Sequence, residues 1–132
     1  MARPWIEYVQ SQNLSWVAGD LWGVRPGIEA KILSLDDDNG AASLLIKYPA
    51  GWRLDWEGAL SVDEEFLVLE GELSIGHQTH RDRSYAHLPA GYGRGPMTSP
   101  SGAVVLTFIS GRPRAIRTSS HPSERAVSST IS

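Results

Sequence analysis

Residues 64–76 read Glu64-Glu65-Phe66-Leu67-Val68-Leu69-Glu70-Gly71-Glu72-Leu73-Ser74-Ile75-Gly76. Apolar side chains fill residues 66–69, and Leu73-Ser74-Ile75 alternates, so both halves read as strand. Gly71 lies between them. A glycine inside a strand pattern packs nothing and marks a bend or a bulge, so the stretch is expected to be one long strand deformed at Gly71.

The neighbourhood has the same character. Residues 28–33 alternate apolar and polar, as a half-buried strand does. Asp36-Asp37-Asp38-Asn39-Gly40 is a turn, because Asn-Gly accepts positive φ. Ala42–Tyr48 forms the next strand and Pro49-Ala50-Gly51 ends it. Residues 84–88 are closed by Pro89-Ala90-Gly91, and Ala103–Ile109 is a last buried strand. Residues 4–10 also alternate and are read as strand. No stretch sustains a helical apolar period. Short strands with regular turn signals predict an all-β domain, a jelly-roll β-barrel.

At 132 residues the chain is expected to be one domain with a core of its own. Residues 1–109 form the barrel in this reading. Residues 110–132 carry four arginines against one glutamate, and their Ser, Thr and Pro content gives them little to bury. They are expected to be a basic tail, flexible or loosely docked. The tail is +3, which leaves −6 on the remainder. The chain has no cysteine, which excludes disulfides, thiolate metal sites and cysteine nucleophiles. Net charge −3 argues against nucleic acid as a partner. No apolar run reaches the ~20 residues of a membrane span, and no leader pattern opens the chain, so a cytoplasmic protein is expected.

Two segments together resemble the cupin superfamily. The first motif covers residues 51–71 and the second about 83–98. Cupins place Gly, His-x-His, Glu and a later Gly in the first motif. Glu64 and Gly71 keep the spacing of the last two. The second motif, Pro-x-Gly followed by a histidine, is matched at Pro89, Gly91 and position 94. Trp22-Gly23-Val24-Arg25-Pro26-Gly27-Ile28, with Gly95-Pro96 and Gly102, resembles the ChrR-like cupins, which are themselves similar to small dione-cleaving dioxygenases. The resemblance implies a cupin barrel, with a homodimer through the N-terminal strands.

The resemblance also implies a metal held by three histidines and one glutamate, and here the chain departs from it. The first-motif histidine positions hold Glu57 and Ala59, or Gly58 and Leu60 in a shorter spacing, and the second-motif position holds Arg94. Arginine stays protonated and cannot ligate a metal. No metal and no other cofactor is therefore expected. Glu64 and Arg94 can pair bidentately, or Arg94 can clamp an anionic or carbonyl-bearing ligand while Glu64 or Glu57 acts as acid or base. His87 shares a strand face with Tyr85 and joins this set if that face is the interior. Tyr92 could offer its hydroxyl, and Trp52 and Trp56 could wall the pocket. His77 and His80 are read as flanking a hairpin turn.

The leading functional reading is a cupin that binds a small organic molecule, with isomerase, dehydratase or cyclase chemistry open to it. The alternatives are a non-catalytic ligand-sensing or interaction module, and a mononuclear dioxygenase with the ligand set Glu57, Glu64 and His87.

Overall fold

The computed structural model describes residues 14–117. The strand expected at residues 4–10 and residues 118–132 of the expected tail lie outside the described residues. The eleven strands are β1 (Val17–Gly19), β2 (Ile28–Leu35), β3 (Ala42–Tyr48), β4 (Trp52–Leu54), β5 (Gly58–Leu60), β6 (Glu64–Ile75), β7 (Gln78–Arg81), β8 (Tyr85–Leu88), β9 (Met97–Ser99), β10 (Ala103–Ile109) and β11 (Ala115–Arg117). No helix occurs among the described residues, so none is long and apolar enough to cross a membrane. The fold is all-β: one curled antiparallel sheet in the order β1-β2-β3-β10-β6-β9-β4, with β7 and β8 also paired to β6 and a separate β5–β11 pair.

Strand β6 organises the sheet. Against β10, Val105 pairs with Val68 and Val104 with Glu70, so Leu69 is left over as a bulge. One extra residue reverses the side-chain alternation. Glu64, Phe66 and Val68 are buried before the bulge, and Leu73 and Ile75 after it. A single strand thus feeds one core although its inward positions change from even to odd. Gly71 makes this possible. Its φ is +77°, and a Cβ there would lie 2.0 Å from the Gly102 carbonyl oxygen.

The concave side holds the core, with Ile46, Val68, Val105, Phe66, Leu60 and Leu73 almost fully buried. Two features near its mouth matter for the site. Gly58 and Arg94 form an isolated bridge, with Arg94 N–H donating to Gly58 O at 2.7 Å and Gly58 N–H to Arg94 O at 3.1 Å. This pins the backbone of Arg94 across the barrel end. Ala115–Arg117 then pairs with Gly58–Leu60, so the ordered path continues past Ile109 onto the body. Arg112 also stacks over the Trp22 ring at 6.0 Å.

Candidate functional site

Glu64 begins β6 facing inward and its side chain is 1% exposed. An isolated carboxylate there would cost several kcal/mol, so the surroundings must hold its charge. Two guanidiniums do. Arg25 Nη2 donates to Glu64 Oε1 at 2.6 Å and Arg25 Nη1 to Oε2 at 2.8 Å, a bidentate pair. Arg94 Nη1 donates to Oε1 at 2.7 Å. Both arginine side chains are 2% exposed. Arg25 Nη1 also donates to the Tyr48 hydroxyl at 3.1 Å.

The loop ahead of β2 is built to deliver Arg25. Leu21 and Trp22 take left-handed backbone angles, with φ of 53° and 55°. That conformation costs roughly 1–2 kcal/mol per non-glycine residue. The turn is closed by Arg25 N–H donating to Asp20 O at 2.7 Å. Trp52 Nε1–H donates to Pro26 O at 2.8 Å, and the Trp52 ring stands edge-on to Tyr48 at 4.7 Å. Trp52 therefore clamps the Arg25 loop from β4. Trp52→Phe should remove about 1–2 kcal/mol by leaving the Pro26 carbonyl without its donor, measurable as a lower urea midpoint.

Burial by itself pushes the Glu64 carboxyl up, but the Arg25 guanidinium, with Arg94 behind it, more than reverses this and holds it at about 2. Burial also opposes the charge on Arg25, and Glu64 overrides it, so that guanidinium is held protonated more firmly than usual. Burial pushes the Tyr48 phenol up. The sign for stability follows from Glu64. Its folded value lies below the ordinary 4.5, so its contribution is complete above about 4.5 and is lost as pH falls toward about 2. Urea midpoints measured from pH 6 downward should fall once pH passes below that upper value. A flat profile would contradict the pairing.

One carboxylate against two guanidiniums leaves the cluster formally +1. Arg94 Nε and Nη2 are buried without a hydrogen-bond partner. These two nitrogens form the side-on donor pair of the guanidinium, one of the edges that can take a carboxylate bidentately. On the same concave face, the buried Thr107 hydroxyl also lacks a partner. It lies one inward position along β10 from Ile109, which pairs with Glu64.

Among the described residues no group of three or more His, Cys, Asp or Glu is placed to hold a metal ion. The donor set agrees, because both Glu64 oxygens already accept from guanidiniums. A divalent cation at Glu64 would sit beside two fixed positive charges. The residues present do not fit a metal at this carboxylate.

The structure thus brings Glu64 and Arg94 together and sets Trp52 against the loop behind them. Trp56 is partly buried and packs on the core. Glu57 and His87 are exposed, and Tyr92 is 53% exposed in the loop after β8. On β8 it is Ala86 and Leu88 that turn toward the core, with Leu88 paired to Glu64, so Tyr85 and His87 lie on the opposite face. Tyr85 donates there to Glu65 at 3.0 Å. The β6–β7 turn is also tighter than expected. Ile75 pairs directly with Gln78, which leaves only Gly76 and His77 in the turn and places His80 on β7. Arg25 and Tyr48 escaped the sequence reading of the site. The available signal for Arg25 was a lone arginine within the apolar, glycine-rich run of residues 22–28.

A family model described as the ChrR Cupin-like domain matches residues 6–112. No curated protein matches the chain significantly. Among solved structures, a candidate acetylacetone dioxygenase of Methylibium petroleiphilum is similar at 17% identity and TM-score 0.69, covering 87% of this chain and 83% of that one. A candidate dioxygenase of Nostoc punctiforme has 21% identity and TM-score 0.64, over 72% of this chain and 34% of that one. A chain in the Rhodobacter sphaeroides complex of SigE with the anti-sigma ChrR has 16% identity and TM-score 0.60, over 81% of this chain and 56% of that one. The chain therefore spans about a third of the Nostoc protein and just over half of the Rhodobacter one. At these identities the likeness establishes the cupin jelly-roll fold, which hosts many chemistries.

Proposed function

The chain belongs to the ChrR cupin-like domain family, and from that premise we propose that it binds a small anionic or carbonyl-bearing organic molecule, without a metal, on the free edge of Arg94. The observation that carries this is the buried, unpartnered Nε and Nη2 pair. A buried donor without an acceptor costs about 1–3 kcal/mol, more when charged, and a ligand oxyanion relieves that cost. The same anion would bring the cluster from +1 to neutral. The Thr107 hydroxyl is a further donor on that face.

The groups favour binding over proton transfer. Glu64, held at about 2, stays ionised through the neutral range and anchors Arg94 instead of exchanging protons. Glu57 and His87, the other acid–base candidates, are exposed. The same exposure leaves the ligand set Glu57, Glu64 and His87 ungathered for a dioxygenase. A cytoplasmic homodimer joined through the N-terminal strands belongs to the proposal, and sedimentation of the full chain reads the oligomeric state.

The test is calorimetric titration with a panel of small carboxylates and ketones. At least one class should bind the wild type and lose about 10-fold or more in Arg94→Lys, which keeps the charge but not the fork. Equal affinity in the variant, or no binding by any member, contradicts the assignment. A sensing role that uses the basic tail would be tested by truncation after Arg117, because cutting at Ile109 would strip β11 from β5.

A further inference from the structure

Arg94 lines a cleft of about 770 Å³ between the β7–β8 arm and residues 92–95. His77, Gln78, His80, His87 and Tyr92 share its wall, and no Asp or Glu does. In a chain of net charge −3 this is an exception. A concave site lined by one sign of charge concentrates ligands of the other. The size suits a small organic molecule.

His80 is the most committed of the imidazoles. It projects from β7 opposite the buried Leu73, its ring stands edge-on to Phe66 at 5.2 Å, and its Nδ1 lies 3.4 Å from Ser84 Oγ. The groups around it come from every adjoining element. They are Phe66 and Leu73 on β6 and Ser84 after β7, with Tyr92 and Arg94 of the following loop sharing the cleft and Tyr85 and His87 bordering it from the opposite face of β8. The nearby carboxylates are accounted for. Glu64 is taken by the guanidiniums, Glu65 accepts from Tyr85 and pairs with His87 on the face away from the core, and Asp82 is exposed in the turn. Nothing acidic competes for a proton on His80 from inside the cleft.

We infer that the ligand is an organic acid with two anionic groups, one held by the Arg94 edge and the other against the His80 wall of this cleft. The inference rests on the Arg94 reading and adds the second charge. Burial lowers the proton affinity of His80, so it carries less charge near neutrality than an ordinary imidazole and gains charge as pH falls. Occupancy by the second anion must therefore strengthen as pH falls.

The probes are 3-sulfopropionate and butyrate, which match in length but differ in one charge. Both are fully ionised at pH 6 and pH 8, so any pH dependence belongs to the protein. By calorimetry on the full chain, 3-sulfopropionate should bind about 10-fold more tightly than butyrate at pH 6, with a smaller gap at pH 8. His80→Gln should erase the gap at both pH values and leave butyrate unchanged. Gln78→Glu, which adds a carboxylate to the same wall, should weaken 3-sulfopropionate selectively and serves as the check if His80→Gln misfolds. A gap that survives both changes overturns the inference. If butyrate binds and 3-sulfopropionate binds no better, the second charge is wrong while the Arg94 reading stands. If neither acid binds, the second-charge inference falls, and the Arg94 reading falls with it only when no member of the carboxylate and ketone panel binds either.

Discussion

Glu64→Gln should destabilise the domain by about 3–5 kcal/mol, the scale for removing one partner from a buried ion pair. Motif spacing places Glu64 in the pocket and leaves open whether it pairs with Arg94 or works as an acid or base. The geometry decides for the pairing. Glu64 is the only carboxylate paired to Arg25 and Arg94 among the described residues, at 2.6–2.8 Å, and all three side chains are at most 2% exposed. Glutamine would leave two guanidiniums facing each other in the core with no counter-charge. Equilibrium urea unfolding reads the loss, and a change below about 1 kcal/mol would mean the cluster is not ionic as described. The triple variant Arg25→Met, Glu64→Leu, Arg94→Met should recover most of that stability, because apolar replacement of a whole buried cluster is often neutral or stabilising. It should also bind no carboxylate. That pairing separates what the cluster does for the fold from what Arg94 does for a ligand.

Gly71→Ala should cost about 3 kcal/mol or more, for two reasons that add. The left-handed backbone at φ +77° accounts for roughly 1–2 kcal/mol in a residue with a Cβ. The remainder is overlap with main chain, since the new atom would lie 2.0 Å from Gly102 O and 2.9 Å from Ala103 Cα. Neither neighbour is a flexible side chain that could turn aside. Gly91→Ala is the control. Its φ is +79° but nothing lies within 4 Å of the added atom, so it should show the backbone cost alone. Equal urea midpoints for the two variants would show that the close approach of β6 and β10 at the bulge is not as described.

The strands legible in the sequence are those long enough to display a pattern, together with four-residue β8, which the Pro89-Ala90-Gly91 turn marks off. β2, β3, β6, β8 and β10 fall where alternation and apolar runs put them. The strands that escaped, β1, β4, β5, β7, β9 and β11, have three or four residues each. So short a segment shows hardly one period of alternation, and several pair with partners far along the chain, as β4 does with β9 and β5 with β11. What makes them strands is the partner, which no local reading supplies. The cupin fold was legible because Glu64, Gly71 and the Pro89–Gly91 turn keep their spacing.

The site was legible in part for the same reason. Glu64 and Arg94 sit at motif positions, and the chemistry of arginine predicts their pairing. Arg25 contacts Glu64 across 39 residues, from a loop whose left-handed Leu21 and Trp22 leave no signature in residue type. Which face of β8 points inward depends on the register Glu64–Leu88, so the sequence could group Tyr85 with His87 but not orient them. His80 was hidden by one turn. A hairpin of Gly76-His77 and a longer loop through His80 look alike in composition, and only the pairing of Ile75 with Gln78 distinguishes them.

The central claim is that the motif-position carboxylate of the barrel, Glu64, is a permanently charged anchor gripped by Arg25 and Arg94. A carbon-13 titration of the Glu64 side-chain carboxyl in the folded protein tests this most directly. The predicted curve shows no inflection down to the acid limit of the folded state, in keeping with a value of about 2. An inflection near the ordinary 4.5 would contradict the account, because a carboxyl that takes up a proton there is not held by two guanidiniums.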